Sequence, residues 1–351
     1  MKLPARIEAP LFRAVLGLPG PLLRAIGGRP LRCEGQTLAP DLQAMLRLIR
    51  FAGEPELGAL PVPGSRELYR RQTALAGGDQ PVGSVRELAV GDRRGRLYTP
   101  TGASGVGPLL VWYHGGGFLY GDLDTHDPAC RFIAERSGVR VLSVDYRLGP
   151  EDPFPAAFDD GAAVFRWVVA NAASLDADPG RLAVGGDSAG GTLAAYVALV
   201  AARERLPLAF QALIYPAADS RGGTESRRRY NHGLVLTQHM FDEVSAHFLV
   251  GDGDAEDPRA SPVLAEIPAG VAPAYVATAG FDPLRDEGET YARRLADAGV
   301  GLELQRFPDQ LHGFVHLVGV SRTGRAATQA VADRVADALR GAAVTDSRRS
   351  A

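Results

Sequence analysis

The chain has 351 residues with 38 basic and 41 acidic side chains, which gives a formal net charge of −3. Hydrophobic residues make up 46% of the chain and charged residues 23%, as in ordinary globular proteins. This composition excludes a disordered chain, which lacks the apolar surface that offsets the entropy lost on ordering. The near balance of charge gives no reason to expect nucleic acid or an anionic membrane as the main partner. The longest apolar run, 193–202, is too short to span a bilayer.

Residues 1–80 have mostly the spacing of amphipathic helices, with glycine and proline breaks at 27–30 and 61–63. A hairpin of two antiparallel strands is predicted next, at 84–90 and 95–98.

From about residue 108 onward, short apolar runs alternate with longer segments of helical spacing. The predicted strands are 109–113, 139–144, 182–185, 212–215, 274–279 and 302–307. The predicted helices are 128–137, 156–171, 190–205, 286–298 and 323–340. Strands buried on both faces are typically continuous apolar runs, and strand–helix alternation implies parallel pairing. The pattern therefore predicts an α/β fold with helices on both faces of the sheet.

Residues 217–262 interrupt this alternation, and a connection of this length in a compact domain usually has structure or function of its own. We expect them to form a helical cap with the N-terminal segment, above the sheet edge where open α/β sheets bind ligands. The predicted division is a cap part at 1–80, core at 81–216, cap insertion at 217–262, core at 263–342 and a flexible tail at 343–351. The run Arg227–Arg229 is expected to be solvated surface of this cap, with a gate for anionic substrates as the alternative.

The pentapeptide Gly186-Asp187-Ser188-Ala189-Gly190 follows a predicted strand and opens a predicted helix. This is the G-x-S-x-G pattern in the strand–turn–helix context that holds a nucleophilic serine on a sharp bend. We therefore predict Ser188 as the nucleophile, with Asp187 as a supporting residue of the motif. The alternative is a glycine-rich turn with a bystander serine.

The sequence His114-Gly115-Gly116-Gly117-Phe118 follows another predicted strand. Consecutive glycines leave their N–H groups free to converge on one point, so Gly115, Gly116 and Gly117, joined by Ala189, are candidates for an oxyanion hole. Gly116 and Gly117 are favoured as the donors. His114 is expected to brace the loop, and a phosphate-binding loop is disfavoured because no lysine follows.

A serine hydroxyl needs a neighbouring base, and His312 lies after the late strand 302–307 and the polar turn 308–310. Its neighbour His316 is expected to be a histidine on a helix face.

The imidazole in turn needs a carboxylate, and Asp282 lies just past the strand 274–279. Asp286 and Asp309 are the rivals; the first is expected to cap a helix and the second is too close in sequence to His312. The order Ser188, Asp282, His312 is the chain order of α/β-hydrolase triads.

Six motifs in this order resemble the hormone-sensitive-lipase-type (bacterial family IV) esterases of the α/β-hydrolase superfamily, in the subgroup named for GDSAG. The motifs are His114–Phe118, Gly121–His126, Asp145–Leu148, Gly186–Gly191, Asp282–Asp286 and Leu311–Phe314. The resemblance covers roughly residues 80–340 and implies a mostly parallel eight-stranded sheet, a helical cap and a Ser188–Asp282–His312 triad. Gly149 stands where the family usually has alanine.

The resemblance implies a serine carboxylesterase for short- to medium-chain esters, with no cofactor or metal and with a small-molecule ester as its partner. A non-catalytic small-molecule receptor on the same fold, and an amidase or deacetylase with the same triad, are the alternatives. The expected location is cytoplasmic, and a homodimer stays open because relatives often dimerise.

Overall fold

The computed structural model describes the backbone of residues 5–346 and the side chains of residues 10–340. Its helices are α1 (Ala5–Leu16), α2 (Gly20–Gly27), α3 (Pro40–Ala52), α4 (Val62–Gly77), α5 (Asp127–Ser137), α6 (Ala156–Ala170), α7 (Ala189–Glu204), α8 (Glu225–Tyr230), α9 (Gln238–His247), α10 (Arg285–Asp297) and α11 (Arg322–Asp346). Its strands are β1 (Arg32–Cys33), β2 (Gln36–Thr37), β3 (Ser84–Val90), β4 (Arg93–Thr99), β5 (Gly107–Tyr113), β6 (Arg140–Asp145), β7 (Ala177–Asp187), β8 (Phe210–Ile214), β9 (Ala274–Phe281) and β10 (Leu302–Leu311).

Strands β3–β10 form one eight-stranded sheet in the order β10-β9-β8-β7-β5-β6-β4-β3. Within this sheet β4 pairs antiparallel with both β3 and β6, whereas the other pairs are parallel. The prediction of a mostly parallel eight-stranded sheet flanked by helices is therefore confirmed. The central strands β5, β8 and β9 are almost wholly buried, as their continuous apolar sequences require.

The sheet separates two apolar layers. One contains α6 and α7 with residues such as Phe158, Phe165 and Leu193, and the other contains α5 and α11 with residues such as Ile133 and Val331. Among the described helices, none is both long and apolar enough to cross a membrane.

A third apolar cluster joins the N-terminal helices to the sheet. Leu16, Leu23 and Leu42 of α1–α3 pack in it with Phe281 and Leu311, the last residues of β9 and β10. The N–H of Ala39, before α3, also donates to the carbonyl oxygen of Asp309 in β10 at 3.0 Å. The N-terminal segment is thus part of the support of this sheet edge.

The tail expected at 343–351 begins inside α11, which continues to Asp346. The rest of that segment lies outside the described residues.

Candidate active site

Ser188 is the single residue between β7 and α7, and its backbone has φ 56° and ψ −123°. This is a strained conformation for a residue with a side chain. Its N–H donates to the carbonyl oxygen of Ile214 at 2.9 Å, which fixes the bend to strand β8. A Cβ at Gly186 or Gly190 would overlap the carbonyl oxygen of Tyr113, so the tight turn requires glycine at both positions.

The three residues predicted as a triad meet at this bend. His312 Nε2 lies 3.0 Å from Ser188 Oγ, and His312 Nδ1 lies 2.8 Å from Asp282 Oδ2. Asp282 is fully buried, and its other carboxylate oxygen accepts the N–H of Leu284 at 2.8 Å. With Nδ1–H donating to this carboxylate, Nε2 is left unprotonated and able to accept the serine proton.

The sheet register explains why Asp282 and His312 are neighbours. Phe281 and Leu311 pair across β9 and β10, so the residue after each strand emerges at the same edge. The polar stretch 308–310, expected to be a turn, is instead extended within β10, where the pairing is irregular between Phe307 and Leu311. The bond from Ala39 to Asp309 holds this bulge in place. The ring of Tyr215, not singled out from the sequence, packs against His312 with centroids 4.6 Å apart.

The rival residues are engaged elsewhere. Asp286 accepts the N–H of Ser226 at 2.8 Å, and Asp309 accepts a bond from Gln310. His316 lies in a short 3₁₀ helix, where its Nε2 is 3.0 Å from the hydroxyl of Tyr69.

The glycine loop divides its N–H groups between two tasks. The N–H of Gly115 faces Asp187 Oδ1 and His126 Nε2, both at 3.1 Å. Gly116 and Gly117 have φ of 115° and 63°, and a Cβ on Gly116 would overlap the carbonyl oxygen of Tyr120. Within the described residues, no protein acceptor faces the N–H groups of Gly116, Gly117 or Ala189.

His114 is buried beneath this loop. Its Nδ1 lies 2.8 Å from the carbonyl oxygen of Gly115, and its ring stacks on Tyr146 at 4.2 Å. The Tyr146 hydroxyl donates to the carbonyl oxygen of His114 at 2.5 Å. Burial, helped by the nearby His126, lowers the pKa of His114 to about 4, so the ring is neutral at physiological pH. These contacts suit a bracing residue.

A buried network of histidines surrounds Asp187. His126 Nε2 is 3.2 Å and His316 Nε2 is 3.7 Å from its carboxylate oxygens. Burial by itself would raise the pKa of Asp187, but the two histidines outweigh it and hold that pKa well below its usual range.

The ligand atoms of His126, Asp187 and His316 lie within 4.8 Å of one another, a spacing that can hold a metal ion. Because the Gly115 N–H and the Tyr69 hydroxyl already face these atoms, we interpret the cluster as a hydrogen-bonded brace. The motif Gly121–His126 and the aspartate before Ser188 were its only signals in the sequence.

Helix α9 and the residue after it lie directly over the glycine loop. Phe248, after α9, stacks on Phe118 with centroids 4.5 Å apart, and a Cβ on Gly117 would lie 2.9 Å from Val244 of α9.

The arginine run at 227–229 is not uniformly solvated. The side chain of Arg228 is 62% exposed, but that of Arg227 is only 16% exposed. Arg227 lies 3.6 Å from the ring centre of Phe241 and 3.7 Å from Glu287. The expectation of a solvated surface is therefore wrong for Arg227, because the α9 ring covers it and a buried carboxyl attracts it.

Comparison with known proteins identifies the family of this chain. A family model described as the alpha/beta hydrolase fold matches residues 110–316. The chain is 42% identical to carboxylic ester hydrolase LipN of Mycobacterium tuberculosis over 314 residues, 86% of this chain and 83% of that protein. It is 37% identical to the ethyl acetate hydrolase of Pseudomonas putida over 296 residues, 80% of this chain and 93% of that protein.

Solved structures give the same result. The hyperthermophilic esterase of the archaeon Pyrobaculum calidifontis is 37% identical with a TM-score of 0.81, over 86% of this chain and 98% of that one. An ester hydrolase from the metagenome of Lake Arreo is 41% identical, with the same TM-score and coverage. The chain therefore belongs to the hormone-sensitive-lipase-like esterases of the α/β-hydrolase fold.

Proposed function

We propose that this chain is a carboxylic-ester hydrolase that works through an acyl-enzyme on Ser188. The observation that carries the proposal is the 3.0 Å approach of His312 Nε2 to Ser188 Oγ, with the buried carboxylate of Asp282 behind the ring. The relatives named as ester hydrolases, at 37–42% identity, support the same class of reaction.

In the first half-reaction, Ser188 Oγ attacks the ester carbonyl carbon while its proton passes to His312 Nε2. The carbonyl electron pair moves to the oxygen, which becomes an oxyanion. When this intermediate collapses, the bond to the alcohol oxygen breaks and His312 protonates the leaving alcohol. Water then attacks the acyl-enzyme through the same steps and releases the acid and free Ser188.

We assign oxyanion stabilisation to the N–H groups of Gly116, Gly117 and Ala189. Gly115, also a candidate, is set aside as a donor because its N–H already faces Asp187 and His126. The positive end of α7, which begins directly after Ser188, adds a favourable field for the developing charge. Removing one such donor typically costs about 10²–10³ in rate.

For substrates we propose small esters with short to medium acyl chains; the similarity to an ethyl acetate hydrolase supports this choice. We further propose that residues 1–80 and 217–262 form the cap of a core at 81–216 and 263–342. Contacts of α9 with Gly58 and of Arg50 with the carbonyl oxygen of Gly233 support that division. A cytoplasmic location and a homodimer are further proposals.

The test compares wild type, Ser188→Ala and a matched serine control, Ser104→Ala, on the surface loop before β5. With p-nitrophenyl butyrate, we expect Ser188→Ala to lose a factor of about 10⁴–10⁶ in turnover and Ser104→Ala to match wild type. Equal rates for wild type and Ser188→Ala would refute the enzyme and favour a receptor on this fold. Faster hydrolysis of the butyryl anilide than of the butyryl ester would move the assignment to an amidase.

A further inference from the structure

A concave site lies against α2, α3 and the segment between them, and no residue of the proposed triad lines it. We call it the α2–α3 groove; it has a volume of about 560 Å³. Small-molecule sites in proteins typically have volumes of roughly 300–1,000 Å³. The groove is therefore large enough for an organic ligand.

Its walls are apolar and partly open to water. Leu38 and Leu46 are buried at its base, while Leu31 is 40% exposed and Phe51 is 77% exposed. An exposed phenylalanine beside exposed leucine, rimmed by polar groups, is typical of a surface that is covered by a ligand.

The wall formed by residues 27–31 is built by one side chain. Gln43 of α3 donates to the carbonyl oxygens of Gly27 at 2.9 Å and Arg29 at 2.7 Å, and it accepts the N–H of Leu31 at 2.8 Å. The groove is thus formed before any ligand arrives, which lowers the entropy cost of binding.

Among the described residues, the charged side chains that line the groove are three arginines, Arg29, Arg47 and Arg50. Arg47 extends over the ring of Phe51 at 5.6 Å, and Arg50 donates to the uncharged carbonyl oxygen of Gly233. None of the three forms an ion pair with any residue in the described part of the chain. The C-termini of α2 and α3 offset this charge by only about half an elementary charge each.

A cleft elsewhere in the molecule differs from the α2–α3 groove in this respect. That cleft is also arginine-rich, but Arg66 pairs with Glu151, Arg70 with Asp122 and Arg94 with Asp145. The arginines of that cleft are neutralised by carboxylates of the protein itself, whereas the three arginines of the α2–α3 groove have no such carboxylate partner among the described residues.

We propose that the α2–α3 groove binds a soluble fatty carboxylate, with its alkyl chain along Leu31, Leu38, Leu46 and Phe51 and its carboxylate on Arg29 and Arg47. An apolar floor calls for a hydrocarbon chain, and planar guanidinium groups match a carboxylate in charge and geometry. The site is separate from the triad, so the proposal stands or falls independently of the ester hydrolysis at Ser188.

The test is isothermal titration with sodium decanoate at concentrations below its aggregation. We expect wild type to show one binding site that the double variant Arg29→Gln/Arg47→Gln weakens by about tenfold or more, and Phe51→Ala by several-fold. If decanoate also binds at the triad, that second site would be unchanged in these variants, so the fitted stoichiometry separates it from the groove. All three residues are exposed, so these variants are expected to fold as wild type does.

The matched control is Arg70→Gln/Arg94→Gln, which removes two arginines from the self-neutralised cleft and should bind decanoate as wild type does. Decyltrimethylammonium, with the same chain and opposite charge, should not bind the groove. An unchanged isotherm in Arg29→Gln/Arg47→Gln, or equal affinity for the cation, would overturn the proposal. A second result would also overturn it. If the protein sediments with phosphatidylglycerol vesicles, loses this in Arg29→Gln/Arg47→Gln and does not bind monomeric decanoate, the groove binds bilayer headgroups instead.

Discussion

Asp282 fixes the orientation and tautomer of His312 through a 2.8 Å bond, in a position closed to water. Asparagine has nearly the same shape but presents an amide N–H₂ or a neutral oxygen to Nδ1. In the first case Nδ1 becomes the acceptor and Nε2 carries the proton, so the ring cannot accept the proton of Ser188.

We therefore predict that Asp282→Asn lowers kcat by about 10³–10⁴ with little change in thermal stability. Asp286→Asn is the matched control, since Asp286 bonds to Ser226 and Arg285 rather than to His312. Steady-state kinetics of both variants on one ester decides the assignment. If Asp286→Asn lowers kcat more than Asp282→Asn does, the assignment of Asp282 as the acid is wrong.

Glu287 of α10 is a buried carboxyl that lies 3.7 Å from Arg227 of α8. Burial raises its pKa to about 8, although the nearby Arg227 opposes the shift. The folded chain holds this proton more tightly than the unfolded chain, whose carboxyl titrates near 4.5. The free energy of unfolding should therefore fall as the pH rises from about 4.5 through 8.

Glu287→Gln keeps an acceptor for the N–H of Asp219 but cannot ionise. We predict that it is more stable than wild type at pH 8, by up to a few kcal/mol, and close to wild type at pH 5. Urea unfolding at both pH values measures this difference. The surface variant Glu303→Gln should follow wild type, and an equal pH dependence in Glu287→Gln and wild type would contradict the prediction.

The meeting of Ser188, Asp282 and His312 could be predicted because a sequence pattern indicates each of the three residues. Ser188 and His312 stand in glycine-bearing turns after strands, and Asp282 follows from the chain order of triads. His126 and His316 were not assigned to the Asp187 network, because their approach depends on how distant loops meet. No spacing within one loop encodes that meeting.

At the scale of elements, helix α4 acts on the glycine loop through one side chain. Arg66 donates to the carbonyl oxygens of Leu119 at 2.8 Å and Gly149 at 2.7 Å, and it pairs with Glu151. It thereby ties the N-terminal segment both to the end of the glycine loop and to the bend at 149–151.

We predict that Arg66→Met destabilises the fold by about 1–3 kcal/mol, because it leaves two partly buried carbonyl groups without their donor. It should also lower kcat several-fold, since the glycine loop loses a support. Arg70→Met, one turn along the same helix and paired only with exposed or half-buried carboxylates, should do neither. Thermal melts and kinetics of the two variants, compared side by side, are the measurement; equal effects would argue against a specific role of Arg66.

The strands of the core were predictable because they are continuous apolar runs buried on both faces. The end of β10 was not, since Pro308 and Asp309 resemble turn residues. Their extended conformation is held by the bond from Ala39 to Asp309, two residues that are 270 positions apart in the chain. The two-residue strands β1 and β2 were likewise too short to give a periodic signal.

At the scale of the whole molecule, one apolar cluster holds the N-terminal helices, Phe281 and Leu311 together. Phe281 directly precedes Asp282, and Leu311 directly precedes His312. Loosening this cluster should displace Asp282 and His312 before it melts the sheet. The sequence predicted helices near this edge, but it contained no information on which strand residues those helices contact.

We predict that Leu42→Ala, in this cluster, and Leu339→Ala, on α11 in the separate apolar layer that α11 shares with α5, each cost about 2–5 kcal/mol of stability. At a temperature where both variants are folded, Leu42→Ala should lose kcat several-fold while Leu339→Ala keeps most of it. Denaturation curves establish the matched stability loss, and kinetics at 25 °C provide the comparison. Equal retention of kcat would mean that the cluster supports the fold without positioning the triad.

This apolar cluster has a practical consequence for protein engineering. Lids are attractive parts to exchange between homologous esterases when a new selectivity is wanted. Here a transplanted N-terminal segment would place foreign side chains against Phe281 and Leu311. Poor packing at these two residues would displace the residues that follow them, Asp282 and His312. Chimeras should therefore carry the recipient's residues at Leu16, Leu23 and Leu42, so that selectivity can be varied without disturbing the reaction centre.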